Sequence, residues 1–152
     1  MSAPAPRLIS DVREDSEDAK SGALMPVRIV QLGSRRRRGE GLRIGTVRRP
    51  PRGVRKSQYA GNDWFDVWLP NLAPSASLMR EAWIRDDGPG WSSFERRYRA
   101  ELNKPEQSHL LDVLAALSHC TSFSVGCYCS DERHCHRSIL RRALRERRAA
   151  VK

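Results

Sequence analysis

Cys127, Cys129 and Cys135 share one short segment with His134, His136 and Arg137, in the order Cys-Tyr-Cys-Ser-Asp-Glu-Arg-His-Cys-His-Arg. Thiols, imidazoles and a guanidinium this close in sequence support three chemistries. In the first, Cys135 or Cys129 is a thiolate nucleophile activated by His134 or His136, and Arg137 holds an anionic substrate. In the second, Cys127, Cys129, Cys135 and His136 supply the four donors of a zinc ion, although a C-x-C-x5-C-H spacing is looser than two separated C-x2-C knuckles. In the third, Cys135 and Arg141 form the C-x5-R of a cysteine phosphatase. Against it, Ile139 and Leu140 belong to an apolar helical stripe, where that enzyme needs a loop of small residues wrapped around phosphate. The bland alternative makes Cys127 and Cys129 small apolar residues and Cys135-His136 an ordinary helix start. It suits Cys127 alone, whereas Cys135-His136-Arg137 together favour function.

Such a site needs elements to hold it. Phe123 to Cys129 alternates as a strand, with Val125, Cys127 and Cys129 on one face and Ser124, Gly126 and Tyr128 on the other. A last helix is predicted from about His136 to Arg148, burying Ile139, Leu140, Ala143 and Leu144. Cys135-His136-Arg137 would then occupy a helix N-terminus, where unpaired N–H groups and the helix dipole favour anions and depress a thiol pKa. They would also sit at the carboxyl end of a strand, the usual ligand crevice of open α/β sheets.

Upstream, strands are expected at Val27–Leu32 and Leu42–Val47, with an extended segment at Trp64–Leu69. Pro74-Ser75 caps a helix carrying Leu78, Met79, Ala82 and Trp83 on one stripe. Ser92 or Ser93 caps another to about Asn103, with Phe94, Tyr98 and Leu102 buried and Glu95/Arg99 and Arg97/Glu101 spaced for ion pairs. Pro105 to His119 forms a third, burying Leu110, Leu111, Leu114 and Leu117. Cys120 is read as core, and so are Trp64, Trp68, Trp83 and Trp91 with Tyr98, in preference to a platform that stacks on a base or ring. The order implies an α/β fold, a single compact domain with a small, mostly parallel sheet flanked by helices in a three-layer α/β/α arrangement.

With 152 residues, one domain is the default. Residues 1–24, rich in Pro, Ser and acidic side chains, are expected to be a disordered tail, and 25–152 the domain. The net charge of +10 is focused. Ten basic residues between Ser34 and Lys56 face Glu40 alone, and seven between Arg137 and Lys152 face Glu146 alone. A polyanion or phosphorylated small molecule is the natural partner. Arg48-Arg49-Pro50-Pro51-Arg52-Gly53 adds a rigid loop that can display Arg49 and Arg52 to an anion. No secretory signal or long apolar run is visible, and the clustered cysteines do not form a disulfide framework, so a soluble, cytoplasmic protein without a membrane partner is expected.

Three runs carry a family likeness: Arg49-Pro50-Pro51-Arg52-Gly53-Val54, then Trp68-Leu69-Pro70-Asn71-Leu72-Ala73-Pro74-Ser75, then Trp91-x-x-Phe94-x-x-x-Tyr98-x-x-Glu101-Leu102. They resemble the YeaO-like branch of the domain-of-unknown-function family 488 (DUF488). The wider family's strand-end cysteine and Cys-His-Arg correspond to Cys129 and Cys135-His136-Arg137. The branch often lacks those cysteines but keeps an acidic turn and a histidine, matching Asp131, Glu132 and His136. The chain departs from the branch at Arg48-Arg49, where an aromatic usually precedes the proline. The resemblance implies a compact α/β fold and no agreed reaction.

Two functions follow as expectations. One is a Cys135-His136-Arg137 site, with Cys129, for a phosphorylated or nucleotide-like anion contacted by Arg49, Arg52, Asp131 and Glu132. The other is a nucleic-acid-binding module using Arg35–Arg38 and the terminal arginines, with the Cys/His cluster structural or zinc-binding; no standard reading helix or aromatic RNA-binding signature accompanies it.

Overall fold

The structure is a computed structural model that describes residues 26–84 and 88–152, so the predicted tail, residues 1–24, lies outside the described residues. Strands β1 (Arg28–Gln31), β2 (Leu42–Gly45), β3 (Val67–Trp68) and β4 (Phe123–Cys127) form a sheet in the order β1-β4-β2-β3, every pair parallel. Helices α1 (Ala76–Ile84), α2 (Gly88–Leu102) and α3 (Pro105–Leu117) lie between β3 and β4, and α4 (His136–Glu146) follows β4. The expected compact α/β domain is thus observed.

β4 is central and buried at every residue. Its Phe123 and Val125 join Ile44 of β2, Tyr98 and Leu102 of α2, Leu111 and Leu114 of α3, and Ile139 and Leu140 of α4 in the main core. A second cluster gathers Leu32, Val47, Phe65, Cys127 and Cys135, with Tyr59, Trp64 and Tyr128 against it. Apart from the helix cap Cys135, its members come from strand ends and connecting segments. The sheet thus has a mainly helical layer and a smaller layer of loops and the 3-10 turn Lys56–Gln58.

The loop layer is fixed by one buried ion pair. Arg43, fully buried, donates from Nε and Nη2 to Glu40 at 2.7 and 3.1 Å and from Nη1 to the carbonyls of Ser34 and Asp63. Glu40 also accepts from the Arg37 N–H and from Ser124 Oγ of β4. Burial alone would push the Glu40 carboxyl up, but these donors and the Arg43 charge hold it at about 2. The basic run from Ser34 to Lys56, which suggested an anionic partner, is therefore partly structural. Arg43 is internal, Arg36 pairs with Asp66 and Asp63, and Arg48 donates to the carbonyls of Ala73 and Pro74, while Arg35, Arg37, Arg38, Arg49 and Arg52 are exposed.

Several local expectations are corrected. The third strand shrinks to Val67–Trp68, and Trp68 is 42% exposed, its indole N–H given to the Val47 carbonyl. α2 begins at Gly88, ahead of the serines expected to cap it. Its charges pair between helices instead of along α2: Glu95 meets Arg142, Arg97 meets Glu81 and Arg99 meets Glu146. Glu101 accepts the Ser75 N–H, and Ser75 Oγ accepts the Leu78 N–H as the expected cap of α1. Leu117 is 42% exposed and Cys120 is exposed, because both follow the last inward turn of α3. Ala82 and Trp83 lie among side chains outside the description.

Replacing Glu40 with Gln leaves Arg43 buried without its counter-charge, and urea unfolding should show a loss of about 3–5 kcal/mol. In the parent protein the Glu40 contribution is complete above the ordinary carboxyl value of 4.5 and is lost as pH falls towards 2. Glu40→Gln should therefore flatten the acid limb of the stability curve, and an unchanged acid limb would refute the assignment.

Candidate functional site

Because all four strands are parallel, their carboxyl ends lie along one edge of the sheet, where Cys127, Cys129, Cys135 and His136 gather, while Arg49 and Arg52 line a separate cavity without a cysteine. The end of β4 is pinned on both sides. The Cys127 carbonyl accepts from Leu32 N–H at 2.8 Å, and the Gly126 carbonyl accepts from both the N–H and the hydroxyl of Thr46 at 3.0 Å. β4 ends at Cys127, two residues short of the expected Cys129, yet Cys127 and Cys129 project together, their sulfurs 3.8 Å apart. The chain then turns through Glu132–His134 and returns at Cys135, the extended cap of α4, φ −127° and ψ 148°. The sulfurs of Cys127, Cys129 and Cys135 lie within 4.8 Å of one another; Cys127 and Cys135 are buried and Cys129 is exposed.

Three thiols so close cannot all ionise, so one proton-poor sulfur is shared among them. The charge settles on Cys135, whose pKa is strongly depressed by S–H donation from Cys127, then from Cys129, and by His136, against the opposing effect of burial. The positive end of α4 acts in the same direction. Cys127 is pushed far up by its bonds to Cys129 and Cys135 and by burial. For Cys129, donation from Cys127 lowers the pKa, but donation towards Cys135 and burial prevail and raise it. His136 is buried, and its Nε2 lies 2.7 Å from the Thr46 carbonyl, which can only accept. That contact places one proton on Nε2 and turns Nδ1 towards Cys135 Sγ at 3.8 Å, where the ring supports the thiolate only when Nδ1 carries a second proton.

Arg137 is 3% exposed and donates from Nη2 to the Cys129 carbonyl at 2.6 Å, while its Nε is buried without a partner. Asp131 and Glu132 border the same turn but are engaged internally. Asp131 caps the turn and contacts His134 Nδ1 at 2.8 Å, and Glu132 grips Arg141 at 2.6 and 3.1 Å. With Arg141 paired, residues 136–140 helical, and Ile139 and Leu140 fully buried, the C-x5-R phosphatase loop cannot form.

On the other side of the strand end, Arg49, Pro50, Pro51 and Arg52 line a cavity of about 620 Å³ together with Trp64, Tyr128 and the end of β1. The Tyr128 hydroxyl donates to the Arg49 carbonyl at 2.9 Å, tying that loop to the residue between the two strand-end cysteines. Trp64 approaches so closely at Gly33, φ +89°, that a Cβ there would lie 2.8 Å from the indole. Trp64 packs against the second core cluster, as its core reading expected, and also lines the cavity.

Thiolate absorbance near 240 nm should persist at neutral pH and survive acidification well below the ordinary thiol value. It should vanish in Cys135→Ser and remain in Cys120→Ser; an ordinary thiol titration in the parent protein would contradict the charge distribution described.

No helix among the described residues is long and apolar enough to cross a membrane. No curated protein and no solved structure matches the chain. Residues 27–148 match the family model described as "Active DUF488-N3 subclade" (DUF488-N3a), a span that contains the whole sheet, all four helices and the thiol cluster. The chain belongs to the DUF488 family.

Proposed function

We propose that the protein carries a thiol-centred site that binds or acts on an anionic ligand. Cys135 is its thiolate, Cys129 the exposed thiol beside it, His136 the imidazole partner and Arg137 the anion holder. The observation that carries this reading is the buried Arg137, whose Nε has no partner beside a thiol cluster at a helix N-terminus. Leaving a buried donor unmade costs about 1–3 kcal/mol, which an anionic oxygen would offset. Arg49 and Arg52 lie in the neighbouring cavity, tied to the cluster through Tyr128, and Asp131 and Glu132 shape the turn between Cys129 and Cys135. The word "Active" in the matched subclade's description supports retained chemistry. The three family-like runs support a finer, YeaO-like reading, and four free cysteines fit a reducing, cytoplasmic compartment.

The test is the ratio of alkylation by anionic iodoacetate to that by neutral iodoacetamide, mapped by mass spectrometry at pH 7. Cys120 serves as the internal reference, being exposed and outside the cluster. The ratio at Cys129 and Cys135 should exceed that at Cys120 severalfold and fall to it in Arg137→Met. Equal ratios in the parent protein would overturn the reading.

A metal centre is the second reading, favoured by the three sulfurs themselves. Tetrahedral zinc with Zn–S bonds of about 2.3 Å needs sulfurs about 3.8 Å apart, the separation of Cys127 and Cys129. His136, its Nε2–H fixed on a backbone carbonyl, has the usual orientation of a histidine ligand, with Nδ1 as the donor. Cys127, Cys129, Cys135 and His136 would hold the ion and close the site. Stoichiometric zinc in freshly purified protein, with the cluster thiols protected until chelation, would favour this reading; metal-free protein with reactive thiols would exclude it.

A further inference from the structure

Two clefts border β1, the first at its carboxyl end and the second along its length to Lys152. The first is the cavity of about 620 Å³ walled by Trp64, Tyr128, Pro50 and Pro51 and carrying Arg49 and Arg52. The second, about 300 Å³, shares Gln31 and Ser34 with the first and carries Arg28, Arg35 and Arg37. Among the described residues none of these five arginines has a carboxylate at ion-pair distance, in contrast to Arg36, Arg43 and Arg141 nearby. The Nε of Arg28 is buried with no partner. No cysteine lines either cleft.

The combination selects its ligand. Two aromatic rings in edge contact, centroids 5.7 Å apart, and two prolines make a ring-sized apolar wall. Unpaired guanidinium groups beside it call for phosphate, which they bind through paired N–H donors. Inorganic phosphate needs no aromatic wall, and an acidic side chain has no ring to stack. The Tyr128 hydroxyl is already donated to the Arg49 carbonyl and holds that loop against the aromatic wall.

We infer that the paired clefts bind a nucleotide, its base against Trp64 and Tyr128, its first phosphate at Arg49 and Arg52, and further phosphates along Arg28, Arg35 and Arg37. The inference rests on the reading above for the ligand's negative charge and names its class. The same chemistry is offered by a free nucleotide and by a single strand of nucleic acid.

Calorimetric titration with ADP, UDP, adenosine, pyrophosphate and a short oligothymidylate tests it. A ring-bearing phosphate should bind at least tenfold more tightly than pyrophosphate or adenosine. Stacking of one base is worth about 1–3 kcal/mol, so Trp64→Ala should weaken binding roughly tenfold and Trp64→Phe should restore most of it. Arg49→Ala with Arg52→Ala, both on exposed positions, should produce a similar loss without unfolding the chain. If Arg35→Ala and Arg37→Ala weaken the oligothymidylate more than ADP, the source is a polymer; equal effects indicate the free nucleotide. Equal affinity for pyrophosphate and ADP, or no binding by any of the probes at millimolar concentration, overturns the inference. The alkylation ratio reads the thiols and the isotherm reads the clefts, so the two proposals fail separately.

Discussion

The loop side of the molecule depends on the buried contact between Glu40 and Arg43. A charge removed from water is costly unless its remaining hydrogen-bonding positions are filled, and here they are filled by backbone drawn from several parts of the chain. Arg43 draws in the Ser34 and Asp63 carbonyls, and Glu40 takes the Arg37 N–H and the Ser124 hydroxyl. Gly33 and Trp64, which adjoin two of those anchor points, therefore inherit their positions, and the wall of the larger cleft follows from them. Hydrophobic residues could have filled the same volume, but without directional contacts they would not have set the register of two long connections against a short strand.

The thiol cluster uses a different constraint. Cys129, just past the end of β4, stays beside Cys127, and a short turn returns Cys135 to the start of α4. Their closeness makes the three sulfurs a single titrating unit, and the helix end together with His136 decides where its charge resides. Arg137, one residue further on, reaches back to the Cys129 carbonyl and so ties the helix start to the strand exit. The family match covers both the cluster and the sheet that holds it.

Much of this was legible in the sequence because it rests on local periodicity. The alternation that begins at Phe123 marked the central strand, although it ends at Cys127 and not at Cys129, and the stripe Ile139, Leu140, Ala143 and Leu144 set the buried face of α4. Illegible were features decided by partners distant in the chain. Glu40 looked like a lone acid among arginines, yet Arg43 and Ser124 enclose it. Glu95, Arg97 and Arg99 had partners at helical spacing, but neighbouring helices offered others. Cys120 ended an apolar run and still faces outward, since a run carries no signal for where the helix leaves the core.

The two ends of the described fold also meet. Val27 and Val151 form an isolated parallel bridge, with Val27 N–H bonded to the Ala150 carbonyl and the Val27 carbonyl accepting from Lys152 N–H. Entry and exit thus lie side by side at the amino end of β1, the edge of the sheet opposite the thiols and the larger cleft. In engineering terms the domain is a plug on a single stem. It can be inserted into a loop of a host protein, or circularised and reopened elsewhere, with its working edge pointing away from the point of attachment.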